Sequence, residues 1–134
     1  MKRNADLRLA AYFGPGDIMP HCGELSRDEV RQLLYSSDAL VLASRSEVQP
    51  LVLMEAMSTG MPVVATTAAP MSLRIPGACF TAAADSALSL MEAMTAVQAV
   101  TPSPVISHAI ERMASPETVA QKLETLFTET LKTL

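Results

Sequence analysis

The apolar residues of the chain form two uninterrupted runs with a helical segment between them. Residues 39–43 (ALVLA) and 63–66 (VVAT) show no polar alternation, which is typical of strands that are buried on both faces of a parallel sheet. Residues 51–58 predict a helix that ends at Thr59, with Gly60 just beyond the cap. Together these elements predict a βαβ unit with a right-handed crossover.

The residues before this unit predict two strands and a helix. Residues 7–13 (LRLAAYF) are a short apolar run that ends in a turn at residues 14–17, and residues 19–23 (MPHCG) are a second candidate strand. Ser26 and Glu29 have the spacing of a capping box. The helix that follows is expected to bury one apolar face, formed by Val30, Leu33 and Leu34.

The residues after the unit begin with another candidate strand, residues 78–81 (ACFT). Asp85 is expected to cap the next helix. Apolar residues recur in that helix at helical spacing, and we expect this Met-rich stripe to lie in the core: Leu88, Met91 and Met94.

Two more helices are expected at the end of the chain. The first lies around residues 105–113. The second begins with Ser115 as its cap and Pro116 at its first position, a strong helix start. Its apolar residues share one face: Val119, Leu123, Leu126 and Phe127.

Alternating strands and helices over 134 residues favour one domain, residues 1–134, of the α/β class. We expect a Rossmann-like parallel sheet of about five strands with helices on both faces. Apolar residues make up 49% of the chain and aromatic residues only 4%, so the core is expected to consist of Ala, Val, Leu and Met.

Composition excludes several functional classes. The net charge of −4 gives no basic surface for nucleic acid. No apolar run approaches the roughly 18 residues of a membrane span, and the N-terminus does not have the pattern of a signal peptide. Cys22 and Cys79 are far apart in the sequence and form no CxxC pattern. We therefore expect two buried thiols in a reducing cytoplasm, and we do not expect a zinc site. His21 is interpreted as structural.

The chemistry is expected in the polar loop at residues 44–50, because ligands of open α/β sheets bind at the carboxyl ends of the strands. Glu47 lies in this loop and Glu55 about one turn into the helix. The helix start offers free amides to an anion, and carboxylates accept hydrogen bonds from sugar hydroxyls. The combination suits a nucleotide sugar, although on spacing alone the two glutamates indicate no more than solvated surface acids.

Residues 47–66 (EVQPLVLMEAMSTGMPVVAT) resemble the signature of retaining glycosyltransferases of the two-domain GT-B architecture. That signature has a Glu, seven residues, a second Glu, Ala-Met, and then Gly-x-Pro-Val-Val-Ala-Thr. Three further parts of the chain are similar to that family: residues 24–35 and 37–42, the strand at residues 78–80 with the helix that follows it, and residues 115–120. The resemblance covers most of the chain from Leu7 onward.

The resemblance implies a role for each matching residue. Glu47 matches the catalytic glutamate beside the donor sugar, and Glu55 matches the glutamate that binds the ribose of the nucleotide. The segment whose backbone amides approach the donor sugar and phosphates is matched by Gln49, Pro50, Leu51 and Val52. The implied reaction transfers a sugar from a UDP- or GDP-sugar to an acceptor hydroxyl with retention, without a metal ion or a permanently bound cofactor.

Several features depart from the family pattern. The Arg and Lys that neutralise the diphosphate have no counterpart, and Arg45 is not at the family's position. Val48 replaces a usual Gly, and Pro50 has no amide to donate. Residues 68–73 lack the usual Gly-Gly and acidic residue. The N-terminal acceptor domain is expected to be absent, so the chain corresponds to the C-terminal donor-binding half and needs a second domain or a partner chain for activity.

Two alternatives remain open. The chain could instead be a degenerate, non-catalytic glycosyltransferase-like domain that serves as an interaction or regulatory subunit, with an exposed sheet edge that allows a homo-oligomer. Another α/β nucleotide-binding enzyme, such as one half of a nucleotide-sugar epimerase, is the third interpretation. The expected location is the cytoplasm, with the inner face of the membrane as a peripheral variant.

Overall fold

The computed structural model describes residues 9–11, 23–69 and 74–132. In these ranges four parallel strands form one sheet in the order β1-β2-β3-β4, so each strand pairs with the one before it. The strands are β1 (Leu9–Ala11), β2 (Ala39–Leu42), β3 (Val63–Thr66) and β4 (Cys79–Ala82). The predicted α/β class with a parallel sheet is confirmed.

The predicted strand count was about five, and four strands are present in the described ranges. The additional candidate, residues 19–23, lies outside them except for Gly23, which is not in a strand. The predicted turn at residues 14–17, His21 and Cys22 also lie outside the described residues.

Five helices accompany the sheet in the described part of the chain. They are α1 (Arg27–Ser36), α2 (Leu51–Ser58), α3 (Ala87–Val97), α4 (Pro104–Ala114) and α5 (Pro116–Lys132). The bounds of α2 and β3 agree with those predicted from the sequence.

Apolar side chains cover both faces of the sheet. On one face Leu40 and Ala65 belong to a cluster that includes Leu34 of α1, Leu53 of α2 and Ile106 of α4. On the other face the cluster contains side chains from three strands and α3: Ala39, Val41, Val64, Ala82, Ala93 and Val97. Successive strand residues alternate between the two clusters, which explains the unbroken apolar runs and confirms helices on both faces.

The predicted capping box begins α1. The Ser26 hydroxyl accepts from the Glu29 amide at 3.4 Å, and the Glu29 carboxylate accepts from the Ser26 amide at 2.8 Å. The predicted apolar face is narrower than expected: Leu34 is buried, Val30 is half-buried and Leu33 is 37% exposed. Only Leu34 of the three lies fully in the core.

The end of α2 is fixed by Gly60. Its φ is +85°, the left-handed conformation that a glycine adopts without strain. Its carbonyl accepts from the Ser103 amide at 2.8 Å. Ser103 is also the N-cap of α4, so this contact places the start of α4 directly against the end of α2.

The start of α3 differs from the prediction. Asp85 has a φ of +61°, whereas the N-cap position requires extended backbone. Ser86 has that conformation and its hydroxyl accepts from the Ser89 amide at 3.2 Å. Asp85 as the cap is therefore wrong, and Ser86 caps the helix.

The predicted buried stripe of α3 is also wrong. Leu88 is 62% exposed and Met91 is 58% exposed, while Met94 is half-buried. The fully buried residues are Ala93 and Val97. The small Ala93 side chain allows α3 to approach the sheet closely, and this orientation turns Leu88 and Met91 to solvent.

The last helix begins as predicted, with the Ser115 hydroxyl accepting from the Thr118 amide at 3.1 Å and Pro116 at the first position. The predicted apolar face of α5 is largely exposed, at 45% for Val119, 48% for Leu123, 57% for Leu126 and 64% for Phe127.

None of the helices in the described ranges has the length and apolar character needed to cross a bilayer.

Candidate functional site

The loop between β2 and α2 lies at the carboxyl end of the sheet, where the sequence placed the chemistry. β2 ends at Leu42, and its partner across the ladder is Ala65 of β3. Ser44 lies just beyond Leu42 along the chain, and Thr66 is the last residue of β3. Because parallel strands end at the same edge, the Thr66 side chain meets the backbone of Ser44 there.

Two hydrogen bonds order this loop. The Thr66 hydroxyl donates to the Ser44 carbonyl at 2.5 Å, and the Ser44 hydroxyl donates to Oε1 of Glu47 at 2.5 Å. Thr66 is 5% exposed, whereas Glu47 is half-buried. The carboxylate of Glu47 is thus connected through Ser44 to the buried end of β3.

Arg45 makes a different contact from the same loop. Its guanidinium forms an ion pair with Asp85, in the turn before α3, and the two side chains are 84% and 62% exposed. An exposed pair of this kind contributes about 0–1 kcal/mol. It contributes little to the position of the loop.

The start of α2 is open to an anion. Its N-cap is Pro50, which is buried and has no side chain that can cap the helix. Within the described ranges, the amides of Leu51 and Val52 have no hydrogen-bond acceptor. Pro50 shapes the turn rather than donating to a ligand, and Gln49 beside it is exposed.

Val48, the residue that replaces a usual Gly of the family pattern, is 92% exposed. Its side chain therefore lies in solvent at the rim of the loop.

Glu55 lies apart from the loop network. It lines a largely apolar groove of about 530 Å³ between α2 and the junction of α4 and α5, together with Leu51, Met54, Ser58, Ile110, Glu111, Ala114, Ser115 and Pro116. Glu47 does not line this groove. Of the two predicted glutamates, only Glu55 lines this groove, and Glu47 belongs to the hydrogen-bonded loop after β2.

A second cavity, of about 680 Å³, lies at the carboxyl edge of the sheet itself. Thr66 forms part of its wall, and Arg45 and Asp85 lie on either side. Its remaining lining residues come from the strand ends and the start of α3: Ala43, Ala83, Ser86, Ala87 and Leu90.

Cys79 and the acidic residues give no metal centre. Within residues 9–11, 23–69 and 74–132, no three His, Cys, Asp or Glu side chains are close enough together to hold a metal ion. Burial raises the pKa of the Cys79 thiol, and the positive charge of Arg74 opposes this in part. Cys79 is half-buried in β4, so its thiol is less buried than predicted, and Cys22 lies outside the described residues.

Sequence reasoning missed the parts of the site that join separate elements. Neither Ser44 nor Thr66 was singled out, and Arg45 was not expected to pair with Asp85. Predicting β2 and β3 as parallel neighbours brings their carboxyl ends to one edge, but the contact between Thr66 and Ser44 also depends on the register of the two strands. The pairing of Arg45 depends on the turn at Asp85, which the sequence placed in a helix cap.

Comparison with known proteins agrees with this architecture. The family model described as glycosyl transferases group 1 matches residues 3–99. A provisionally named colanic acid biosynthesis glycosyl transferase, WcaC of Escherichia coli (strain K12), is 41% identical over 54 residues, which are 40% of this chain and 13% of that protein. The sulfoquinovosyl transferase SQD2 of Arabidopsis thaliana is 50% identical over 46 residues, which are 34% of this chain and 9% of that protein.

These relatives are much longer than the segments that they share with this chain. The matched segments span about an eighth and a tenth of their lengths. The family model, in contrast, matches well over half of the chain and includes the loop after β2, α2 and β3. The chain belongs to the glycosyl transferases group 1 family.

Proposed function

We propose that this chain binds the nucleotide-sugar donor of a glycosyl transfer reaction. The observation that carries the proposal is the loop and helix start after β2, where Glu47 is positioned by Ser44 and the amides of Leu51 and Val52, a few residues further along the chain, are unengaged. Both lie at the carboxyl edge of a parallel sheet, the usual ligand-binding edge of such folds. Membership of a glycosyl transferase family supplies the class of reaction.

Three parts of the donor, namely the diphosphate, the donor sugar and the ribose, have a candidate binding group in this chain. The amides of Leu51 and Val52 and the helix dipole suit the diphosphate. Glu47 suits hydroxyls of the donor sugar, and Glu55 suits the ribose hydroxyls, since ionised carboxylates accept strong hydrogen bonds from hydroxyl groups. UDP- and GDP-sugars are the proposed donors, and no metal ion is assigned a role.

The proposed transfer proceeds with retention of configuration. The bond between the anomeric carbon and the diphosphate oxygen breaks. The acceptor oxygen bonds to the anomeric carbon from the same face and passes its proton to the departing diphosphate oxygen. The diphosphate leaves towards the open amides of α2. We propose that a second domain or a partner chain supplies the acceptor side of the site.

Titration calorimetry with a panel of UDP-, GDP- and ADP-sugars tests the proposal. The wild-type chain is expected to bind at least one of them. Glu55→Ala is expected to weaken that affinity by about 10- to 100-fold, the effect of losing a hydrogen bond to a charged group. Glu92→Ala is the matched control, because Glu92 is an exposed helical glutamate on α3, across the sheet from α2.

Two results would count against the proposal. A folded wild-type chain that binds none of the donors contradicts donor binding. Equal affinity of the wild type and Glu55→Ala contradicts the role of Glu55 while leaving donor binding intact.

A second candidate function is that of a non-catalytic interaction subunit, and the exposed apolar face of α5 favours it. A surface of this kind predicts association that rises with concentration. Light scattering of the wild type and of Leu123→Gln tests this candidate. A wild type that remains monomeric at high concentration argues against it.

A further inference from the structure

The contacts around Glu47 form a chain that begins in the core. Thr66 is one of two buried polar or charged side chains in the described ranges, and the strand that carries it is buried along its whole length. Its hydroxyl donates to the Ser44 carbonyl, and the Ser44 hydroxyl donates to Oε1 of Glu47. A loop residue is thus held by a rigid part of the sheet.

This geometry leaves half of the carboxylate available. Oε1 of Glu47 is engaged by Ser44, whereas Oε2 has no hydrogen-bond partner among the residues that the structure describes. An ionised carboxylate accepts several hydrogen bonds, so a ligand hydroxyl can use the remaining positions. Ser44 therefore sets the direction in which the free oxygen points.

We propose that Thr66 and Ser44 are positioning residues that orient Glu47 towards the sugar of the donor and so determine the affinity for the sugar rather than for the nucleotide. This inference rests on the proposed function, because it assumes a nucleotide-sugar donor. We expect both residues to act through Glu47, because their hydroxyl groups are engaged by the Ser44 carbonyl and by Oε1 of Glu47.

Breaking the contacts between Thr66, Ser44 and Glu47 should affect a sugar nucleotide and a nucleoside diphosphate differently. Neither Glu55 nor the amides of Leu51 and Val52 take part in the Thr66–Ser44–Glu47 contacts, so we expect the affinity for a nucleoside diphosphate to stay unchanged when these contacts are broken. Breaking the contacts would lower only the affinity of the protein for the sugar nucleotide. A general loss of structure would lower the affinity for both ligands equally.

Thr67 provides a matched control. It is the next residue, it is exposed, and its hydroxyl accepts from the Ala84 amide at 3.2 Å. Thr67→Val removes a hydroxyl from the same edge of the sheet without touching Ser44 or Glu47. Thr66→Ser keeps the hydroxyl that Thr66→Val removes, and serves as the rescue.

The experiment compares UDP-glucose with UDP and GDP-mannose with GDP by calorimetry, using whichever pair the wild type binds. Ser44→Ala and Thr66→Val are expected to lower the affinity for the sugar nucleotide by about tenfold, the effect of one hydrogen bond, and to change the affinity for the nucleoside diphosphate by less than about twofold. Thr66→Ser and Thr67→Val are expected to resemble the wild type.

Hydrogen exchange of the amides at residues 44–49 gives a readout without a ligand. It is expected to accelerate in Thr66→Val and to stay unchanged in Thr67→Val. An equal loss of affinity for both ligands, an unchanged affinity for the sugar nucleotide in Ser44→Ala, or no rescue by Thr66→Ser overturns the inference. A wild type that binds neither ligand of either pair refutes the proposed function itself, and the inference with it.

Discussion

Gly60 joins two helices, and replacing it with alanine should be among the more damaging small substitutions in this protein. An added Cβ would lie 2.7 Å from the carbonyl oxygen of Ser103, 3.1 Å from its carbonyl carbon and 3.3 Å from its nitrogen. All three are backbone atoms at the start of α4, so no side chain can rotate to make room. The backbone of residue 60 also has a φ of +85°.

The two effects can be separated because Gly77 shows only one of them. Gly77 has a φ of +78°, and nothing lies within 4 Å of its ideal Cβ position. An L-residue in the left-handed conformation loses about 1–2 kcal/mol, so this is the expected decrease in the free energy of unfolding for Gly77→Ala. Gly60→Ala adds the overpacking term, about 1–3 kcal/mol, for a total decrease of roughly 2–5 kcal/mol.

Equilibrium urea unfolding followed by circular dichroism measures both variants. The difference between them, rather than either value alone, reports the contact with Ser103. In Gly60→Ala the Ser103 amide should also exchange faster, because its hydrogen bond to the residue 60 carbonyl is strained. Equal destabilisation by Gly60→Ala and Gly77→Ala would refute the close approach of α4 to the end of α2.

Two further predictions concern titratable groups. Two hydrogen bonds lower the pKa of the Glu29 carboxyl: one from the Ser26 side chain, which has the larger effect, and one from the Ser26 backbone amide. The stability that they confer is complete above about pH 4.3, the usual Glu value, and is lost as the pH falls below it. The difference in thermal midpoint between wild type and Glu29→Gln should shrink over that acidic range, and a constant difference would contradict the capping box. Burial raises the pKa of the Cys79 thiol. In a Cys22→Ser background, the folded protein should therefore react with iodoacetamide more slowly than the protein in urea, and its alkylation rate should reach half of its maximum above about pH 8.5, the value of a free thiol. Equal rates in the folded and unfolded states would contradict the burial of this thiol.

The sequence predicted the centre of the fold well because its local signals agree with the tertiary structure. The apolar runs of β2 and β3 are continuous because both faces of the sheet are covered. Gly60 marks the end of α2 because only glycine adopts its backbone conformation without strain. Each of these signals is contained in a few neighbouring residues.

The orientation of α3 could not be predicted in this way. The helix has apolar residues on several faces, so the residues facing the sheet are chosen by packing rather than by periodicity. Ala93 and Val97 lie against the strands, whereas Leu88 and Met91 face solvent. Similarly, the Thr66–Ser44 contact depends on the register of two strands, which no local pattern specifies. The predicted roles of Glu47 and Glu55 come from the family resemblance and remain predictions.

The family resemblance and the hydrophobic core have different boundaries along this chain. The family model matches residues 3–99, yet Ile106 and Ile110 of α4 are 6% and 3% exposed in the cluster that covers α2. Two buried isoleucines contribute about 3–6 kcal/mol, a large share of the roughly 5–15 kcal/mol that keeps a domain folded. An expression fragment trimmed to the family boundary would lose them and leave Leu53 and Met57 uncovered, so fragments for solution work should extend at least through Ala114.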